Sequence, residues 1–323
     1  MFPGFPMACL TSAIEPLRAA NEITGRKEFA WSLVAESYAP VRSSADVRFE
    51  PDTILAECGD VDHLFLLSPP TGQFADLRSG PARLRWLDRT GVVLGAFSGG
   101  IFPLARAGLM EGRGCSVHWC YEAAFKAEFP KVNASEAVIV RDRRRITASG
   151  AGAVFDLMLR LIEERLGRQY MTEVACWFQH PFVRDEDASQ KVPVARTGNT
   201  ADRLLPAIRE AIRLFESHVE DPLRIPDVAA AVDMSSRHFE RLFKRETGQS
   251  PLRYYRQLRL SKARQRVLYS NDPLREIAAS VGYLTSAPMA RHYTEQFGVS
   301  PKHERQMLMG LHNAGLAKVP AAD

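Results

Sequence analysis

The stretch Asp227-Val228-Ala229-Ala230-Ala231-Val232-Asp233-Met234-Ser235-Ser236-Arg237-His238-Phe239-Glu240-Arg241-Leu242-Phe243, closed by Thr247-Gly248-Gln249-Ser250-Pro251, decides how the chain is read. It returns in altered form as Glu276-Ile277-Ala278-Ala279-Ser280-Val281-Gly282-Tyr283-Leu284-Thr285-Ser286-Ala287-Pro288-Met289-Ala290-Arg291-His292-Tyr293, closed by Phe297-Gly298-Val299-Ser300-Pro301. Gly248 and Gly298 lie about 50 positions apart, a period at which internal repeats are sought. In each copy an Ala-rich helix ends at a short break. Ser235 or Thr285 then stands where a hydroxyl accepts from the free N–H groups that open a second helix. Phe239, Leu242 and Phe243, or Met289 and Tyr293, recur at helical spacing and predict one buried face. A glycine follows the last turn, where a left-handed residue costs least. Helix, tight turn, helix is the unit that places its second helix in the major groove of DNA.

Ser236, Arg237, Glu240, Arg241 and Lys244 point away from the apolar face of the first such helix, and arginine can pair bidentately with guanine. Arg245, Arg253, Arg256, Arg259, Lys262, Arg264 and Arg266 add a basic flank of the kind that holds phosphates without reading sequence. One helix of this kind could be the solvated face of a bundle. Two copies with matching breaks, glycines and Ser-Pro exits argue for a duplicated DNA-binding unit.

These residues, over about 204–305, resemble the AraC family of bacterial transcription regulators, whose DNA-binding domain joins two such motifs by a long helix. The resemblance implies that helix at Leu252 to Ser270. The second recognition helix departs from the family, with Ala287, Pro288 and Ala290 in place of polar or larger residues. Arg291 remains as its main contact, helped by Ser286. The first motif is therefore expected to carry more sequence discrimination, the second to anchor.

At 323 residues the chain predicts two domains. A hydrophobic fraction of 46% supplies sizeable cores, and the net charge of +4 is modest, so the basic character is local to the C-terminal half. Five cysteines without a C-x-x-C pair support neither a disulfide frame nor a zinc site and fit a reduced cytoplasm. No apolar run is long enough for a membrane span, and the N-terminus does not read as a signal peptide. No metal or cofactor is expected.

The N-terminal half alternates helix and strand. Helices are read at 11–21, 82–89, 101–107, 119–129, 153–166 and 167–182. Strands are read at 29–35, 61–67, 92–97, 137–140 and 146–147. That order predicts a flavodoxin-like, doubly wound, mainly parallel sheet covered on both faces. Ligands of such sheets bind beyond the carboxyl ends of the strands, where Ser98, Ser68-Pro69-Pro70-Thr71-Gly72 and Ser116-Val117-His118-Trp119 should meet. The run Arg141-Asp142-Arg143-Arg144-Arg145 is read as an exposed hairpin turn rather than a second DNA patch.

Residues 1–166 resemble the amidase-like domain of the class-I glutaminase superfamily, in the version fused to AraC-type domains in GlxA-like regulators. The strand and elbow at Ser98, then Ala105-Arg106-Ala107-Gly108-Leu109 and Cys115-Ser116-Val117-His118-Trp119, carry that resemblance. It places Ser98 at the family's nucleophile position, normally cysteine, and Glu15 and His118 at positions lining the same pocket. The family's first apolar strand would precede Pro3-Gly4-Phe5. Either the natural start lies upstream of Met1, which is expected, or the sheet carries an unpaired gap.

An acyl-transfer enzyme using Ser98 needs a base and oxyanion donors. Gly99 stands where the family's proteases carry the base. Pro69-Pro70 stands where a Gly-Gly pair offers an N–H, and proline has none. The expectation is therefore a non-catalytic pocket of Glu15, Ser98, His118 and Trp119. Taken alone, His118 or Trp119 could equally be a packed core group. Related regulators respond to small nitrogenous metabolites, so the resemblance implies an amino acid or a quaternary amine as effector. Trp119 and Glu15 would suit such a cation.

The domains expected are residues 1–183 for sensing and dimerisation, a linker at 184–202, the all-α DNA-binding domain with two helix-turn-helix motifs at 203–306, and a tail at 307–323. In the DNA domain Leu205, Ile208, Ile212 and Phe215 are expected to point inward. The whole reads as a cytoplasmic homodimer that binds promoter DNA and activates RNA polymerase in response to its effector. The alternative is an amidase or deglycase with a DNA-binding appendage.

Overall fold

A computed structural model describes residues 1–180, 183–186, 188–190 and 204–307. The chain divides into two compact units, Met1–Gln190 and Lys191–Asp323. Among the described residues no helix is long and apolar enough to cross a membrane.

In the first unit His63–Leu67, Val93–Phe97 and Arg145–Ala148 run parallel in that spatial order, and Ile139–Asp142 closes the sheet antiparallel. Alternating side chains of a strand face opposite ways. Leu67, Phe97, Ile146 and Ala148 pack with Cys9 and Leu10 of helix Met7–Thr24 and with Val154, Leu157 and Met158 of helix Ala151–Leu166. Leu94 and Ala96, of the other parity, are also buried. Helices Ser79–Arg89 and Ile101–Arg106 contact the same strands. Both faces are therefore covered, which is the expected α/β architecture.

The local differences have local reasons. The helix expected from 119 begins at Glu122, because residues 118–121 close a turn in which the Tyr121 N–H donates to the His118 carbonyl at 2.8 Å. The strand expected over 29–35 shrinks to Val34–Ala35, paired with Thr53–Ile54. The helix read over 167–182 spans Arg168–Trp177, set off from its predecessor by Gly167 at φ 92°. The basic run is a hairpin with Arg143 at φ 55°, yet only Arg143 and Arg144 are exposed. Arg145 is fully buried, donating to Asp88 at 2.9 Å and to the Leu109 carbonyl at 3.0 Å. That guanidinium holds the Asp88 carboxyl below the usual carboxylate range.

Strands Val34–Ala35 and His63–Leu67 do not pair with each other. The chain's first two residues span them: the Met1 ammonium donates to the Val34 carbonyl at 2.5 Å and the Phe2 N–H to the Leu67 carbonyl at 3.0 Å. Beside this bridge lies a slot of about 1100 Å³ lined by Leu10, Ile14, Leu33, Phe65 and Met158 among others. Burial pushes the Met1 ammonium down to about 6.

Residues 184–190, expected in the linker, lie on the first unit where they are described. The Val138 N–H donates to the Ala188 carbonyl at 2.8 Å and the Gln190 N–H to the Glu136 carbonyl at 2.9 Å. Residues 187 and 191–202 of that linker, residue 203, and 308–323 of the tail lie outside the described residues.

The second unit has two apolar cores. Helices Pro206–Ser217, Ile225–Ala231 and Ser236–Thr247 enclose Ile208, Ile212, Phe215, Val228, Phe239, Leu242 and Phe243. Helices Leu274–Ser280 and Ser286–Phe297 enclose Ile277, Ala278, Met289 and Tyr293. The long helix Pro251–Tyr269 serves both, giving Tyr254 and Tyr255 to the first core and Leu260, Ala263 and Val267 to the second. Leu204, not Leu205, is the buried member of its pair; Leu205 precedes the helix as its N-cap and is 42% exposed.

Arg145→Ala leaves the Leu109 carbonyl without its guanidinium donor and the Asp88 carboxylate with only the longer 3.4 Å contact to Arg144. We expect a loss of about 2–3 kcal/mol in the first unit, below the full cost of a broken buried pair because Asp88 is partly hydrated. Urea denaturation followed by near-ultraviolet dichroism checks this, and an unchanged midpoint would contradict it.

Candidate nucleic-acid interface and pocket

Ser236, Arg237, Glu240, Arg241 and Lys244 are all exposed on helix Ser236–Thr247, opposite the buried Phe239, Leu242 and Phe243. Ser235 caps this helix, its hydroxyl accepting from the His238 N–H at 3.4 Å. The chain turns into it through Asp233 at φ 56°, a conformation aspartate tolerates better than most residues. Gly248 ends it at φ 76° and Gly298 ends its counterpart at φ 73°, as the spacing predicts.

The second motif is built differently. Thr285 makes no capping bond. An N-cap oxygen accepts from the second or third N–H of its helix. In the first motif the third residue is His238; in the second it is Pro288, which has no N–H. The turn is also one residue longer, with Tyr283 and Leu284 between Gly282 and Thr285 where the first motif has only Met234. Leu284 is wholly exposed. Here Gly282 is obligatory: a Cβ would lie 2.6 Å from Pro222 Cγ, and φ is +71°. Arg291 is exposed, 4.0 Å from Glu295, and Ser286 is half-buried. This helix thus offers one cation among small apolar residues.

The expected basic flank is only partly free. Arg253 and Arg256 are exposed. Arg259 instead donates to the Val281 and Gly282 carbonyls at 2.7 and 2.6 Å. Arg264 pairs with Glu304, and Arg266 with Asp272 at 2.6 Å. These three are structural: they tie the long helix to the second motif and to the end of the domain. Helical spacing alone could not tell them from phosphate contacts.

In the first unit Ser98 sits at φ 53° directly after strand Val93–Phe97, buried on a sharp strand-to-helix elbow. The elbow is pressed onto the neighbouring loop. A Cβ on Gly99 would lie 2.5 Å from the Ser68 carbonyl oxygen and 2.7 Å from Pro70 N; one on Gly100 would lie 1.9 Å from the Leu66 carbonyl oxygen. Only glycine fits at either position, so no base can follow Ser98.

Phe97 pairs in register with Ala148, which sets Ser98 beside Ser149 and Gly150. The His118 ring packs on Gly150, with Cδ2 3.2 Å from where a Cβ would be. Ser98 and His118 thus both lie by the residues that follow strand Arg145–Ala148, and the Trp119 ring is 5.5 Å from that of His118. The helix that carries Glu15 packs at its start through Cys9 against Leu67 and Phe97. Glu15 lies six residues beyond Cys9, about 9 Å along the axis. It is half-exposed and paired with Arg18 at 3.0 Å.

Two residues the sequence reading passed over belong to this site. Cys120 Sγ lies 2.9 Å from His118 Nδ1. Burial pushes the thiol up to about 11 and the imidazole down, so the pair is neutral near pH 7. Gln190 brackets His118 from behind, accepting from the Trp119 N–H at 2.9 Å and donating to the Val117 carbonyl at 2.8 Å. Cys120 follows His118 by two residues and was open to notice; Gln190 is more than seventy positions away and carried no signal. Among the described residues no cluster of His, Cys, Asp and Glu could hold a metal ion.

Comparison with known proteins gives the same two parts. The DJ-1/PfpI family profile matches residues 8–164 and a helix-turn-helix domain profile matches residues 228–307. The chain is 34% identical over 306 residues to the HTH-type transcriptional regulator GbdR of Pseudomonas aeruginosa, covering 95% of this chain and 83% of that protein. It is 32% identical over 313 residues to the HTH-type transcriptional regulator CdhR of the same organism, covering 95% and 90%. To the HTH-type transcriptional regulator GlxA of Rhizobium meliloti it is 31% identical over 300 residues, covering 92% and 91%.

Arg241→Ala should weaken retention of a promoter fragment by about 1–3 kcal/mol and relax discrimination among sequences. Arg291→Ala should weaken all sequences alike and lower the salt slope by about one. Gel shifts across a salt series measure both. Equal behaviour of the two variants would contradict the assignment of reading to one helix and anchoring to the other.

Proposed function

The chain belongs to the GlxA-like HTH-type transcriptional regulators, a DJ-1/PfpI domain joined to an AraC-type DNA-binding domain, and from that premise we propose a regulator that senses a small polar effector without turning it over. The effector sits at the strand ends against Ser98, His118 and Trp119. Amino acids and quaternary amines are the classes to try first. With Glu15 held by Arg18, a cationic effector would rely on the Trp119 ring rather than on that carboxylate. The regulator works as a cytoplasmic homodimer and activates promoters through RNA polymerase.

The observation that carries the binding reading is the elbow. Nucleophilic catalysis at Ser98 needs a base within hydrogen-bond reach, and Gly99 is sterically barred from being one. Pro69 and Pro70 remove N–H donors from the loop facing the elbow, and one lost oxyanion donor costs about 2.7–4 kcal/mol of barrier. What remains is a buried hydroxyl, a neutral imidazole and an indole: groups that can orient a small molecule but lack the activation acyl transfer requires. Such a ligand controls transcription only if it binds two arrangements of the protein unequally.

A thermal-shift screen of amino acids and quaternary amines should find a compound that raises the melting point of the intact protein, worth about 2.7 kcal/mol at a hundredfold excess over Kd. His118→Ala should abolish that shift. No ammonia should be released from any amide tested. Ammonia release that disappears in Ser98→Ala would replace this reading with the amidase one.

A further inference from the structure

We infer that Gln190 is the positioning residue through which the pocket is read by the segment leading to the DNA-binding unit. This rests on the pocket assignment above.

The argument starts from the amide itself. A neutral carboxamide carries both a donor and an acceptor. Gln190 commits each to the backbone on one side of His118: Oε1 to the Trp119 N–H and Nε2 to the Val117 carbonyl. Any displacement of His118 or Trp119 by a bound molecule therefore strains one or both bonds. The oxygen and nitrogen ends are assigned by these partners, since only this orientation satisfies both.

Gln190 ends a strap laid against the sheet domain. Its own N–H donates to the Glu136 carbonyl at 2.9 Å, Ser189 bridges Ala137, and the Ile139 N–H donates to the Glu186 carbonyl at 3.2 Å. Further back, Glu186 pairs with Arg141 at 2.9 Å. At the root Arg184 Nε donates to Asp156 at 2.6 Å, and His180 Nε2 lies 2.7 Å from the other oxygen of the same carboxylate. Asp156 is fully buried.

These attachments are unequal. The root is made of charge-assisted bonds, roughly twice as strong as neutral ones. The tip is held by neutral bonds, and two of them belong to the pocket. A perturbation there releases the tip and leaves the root in place. The residue after the tip is Lys191, where the second unit begins. The strap thus has a fixed end in the sheet core and a conditional end at His118, and the conditional end is the one joined to the DNA-binding unit.

The test is a double-substitution cycle in the full-length protein, without added ligand. Gln190→Met keeps length and volume but makes neither bond. It should speed hydrogen exchange of the Trp119 and Gln190 amides about tenfold, the effect of losing bonds of this kind. It should also shift the concentration at which a promoter fragment is half retained. His118→Ala should alter exchange of the 186–190 amides in the parent but add nothing in the Gln190→Met background, because the connection is already cut. Gln190→Glu keeps the acceptor for Trp119 and loses the donor to Val117, so its exchange should fall between. Additive effects of the two substitutions, or promoter retention unchanged by Gln190→Met, would overturn the proposal. Since no ligand enters the cycle, failure here leaves the pocket reading to the thermal-shift screen.

Discussion

The helix Pro251–Tyr269 is the part on which the DNA-binding unit depends, because neither helix-turn-helix has a complete core without it. At about 1.5 Å per residue its nineteen residues span about 28 Å, so the two motifs are referred to one rod rather than to a linker. Arg259 makes the reference exact in angle as well as distance. It donates to the carbonyls of Val281 and Gly282 at the turn of the second motif and lies over the Tyr283 ring, 4.6 Å from its centroid. A side chain that looks like a phosphate contact is thus the joint that aims a recognition helix.

The two motifs then diverge in what they can do. The first presents arginines, a lysine, a serine and a glutamate on a helix that is capped, turned and terminated by residues suited to each place. The second gives up its cap because Pro288 has no N–H, lengthens its turn by one residue and exposes Leu284. The first helix offers several hydrogen-bonding side chains on its outer face, the second a single exposed cation among small apolar residues.

In the sheet domain the governing contact is between backbones. The loop 66–70 lies so close to the elbow that residues 99 and 100 are confined to glycine. That contact holds Ser98 on its elbow and at the same time keeps any side chain, and so any base, off the two positions that follow it. At the end of the strap the Gln190 amide holds the backbone on both sides of His118.

The sequence by itself determined the repeated motif, the outward face Ser236, Arg237, Glu240, Arg241 and Lys244, the alternating order of the sheet domain and the elbow at Ser98. Each of these is written in neighbours: a period, a cap, a glycine, an apolar run. The missing cap at Thr285 is equally legible, since Pro288 stands three residues on and has no N–H. Only the tertiary structure decided that Arg145, Arg259 and Arg266 bond within the fold, that Glu15 is paired with Arg18, and that Cys120 and Gln190 stand against His118 and its neighbours. The reason is the same for Arg145, Arg259 and Gln190. A charge run or a lone amide has no periodicity that distinguishes solvent from a buried partner, and the partners lie on segments distant in the chain that only folding brings within hydrogen-bond reach.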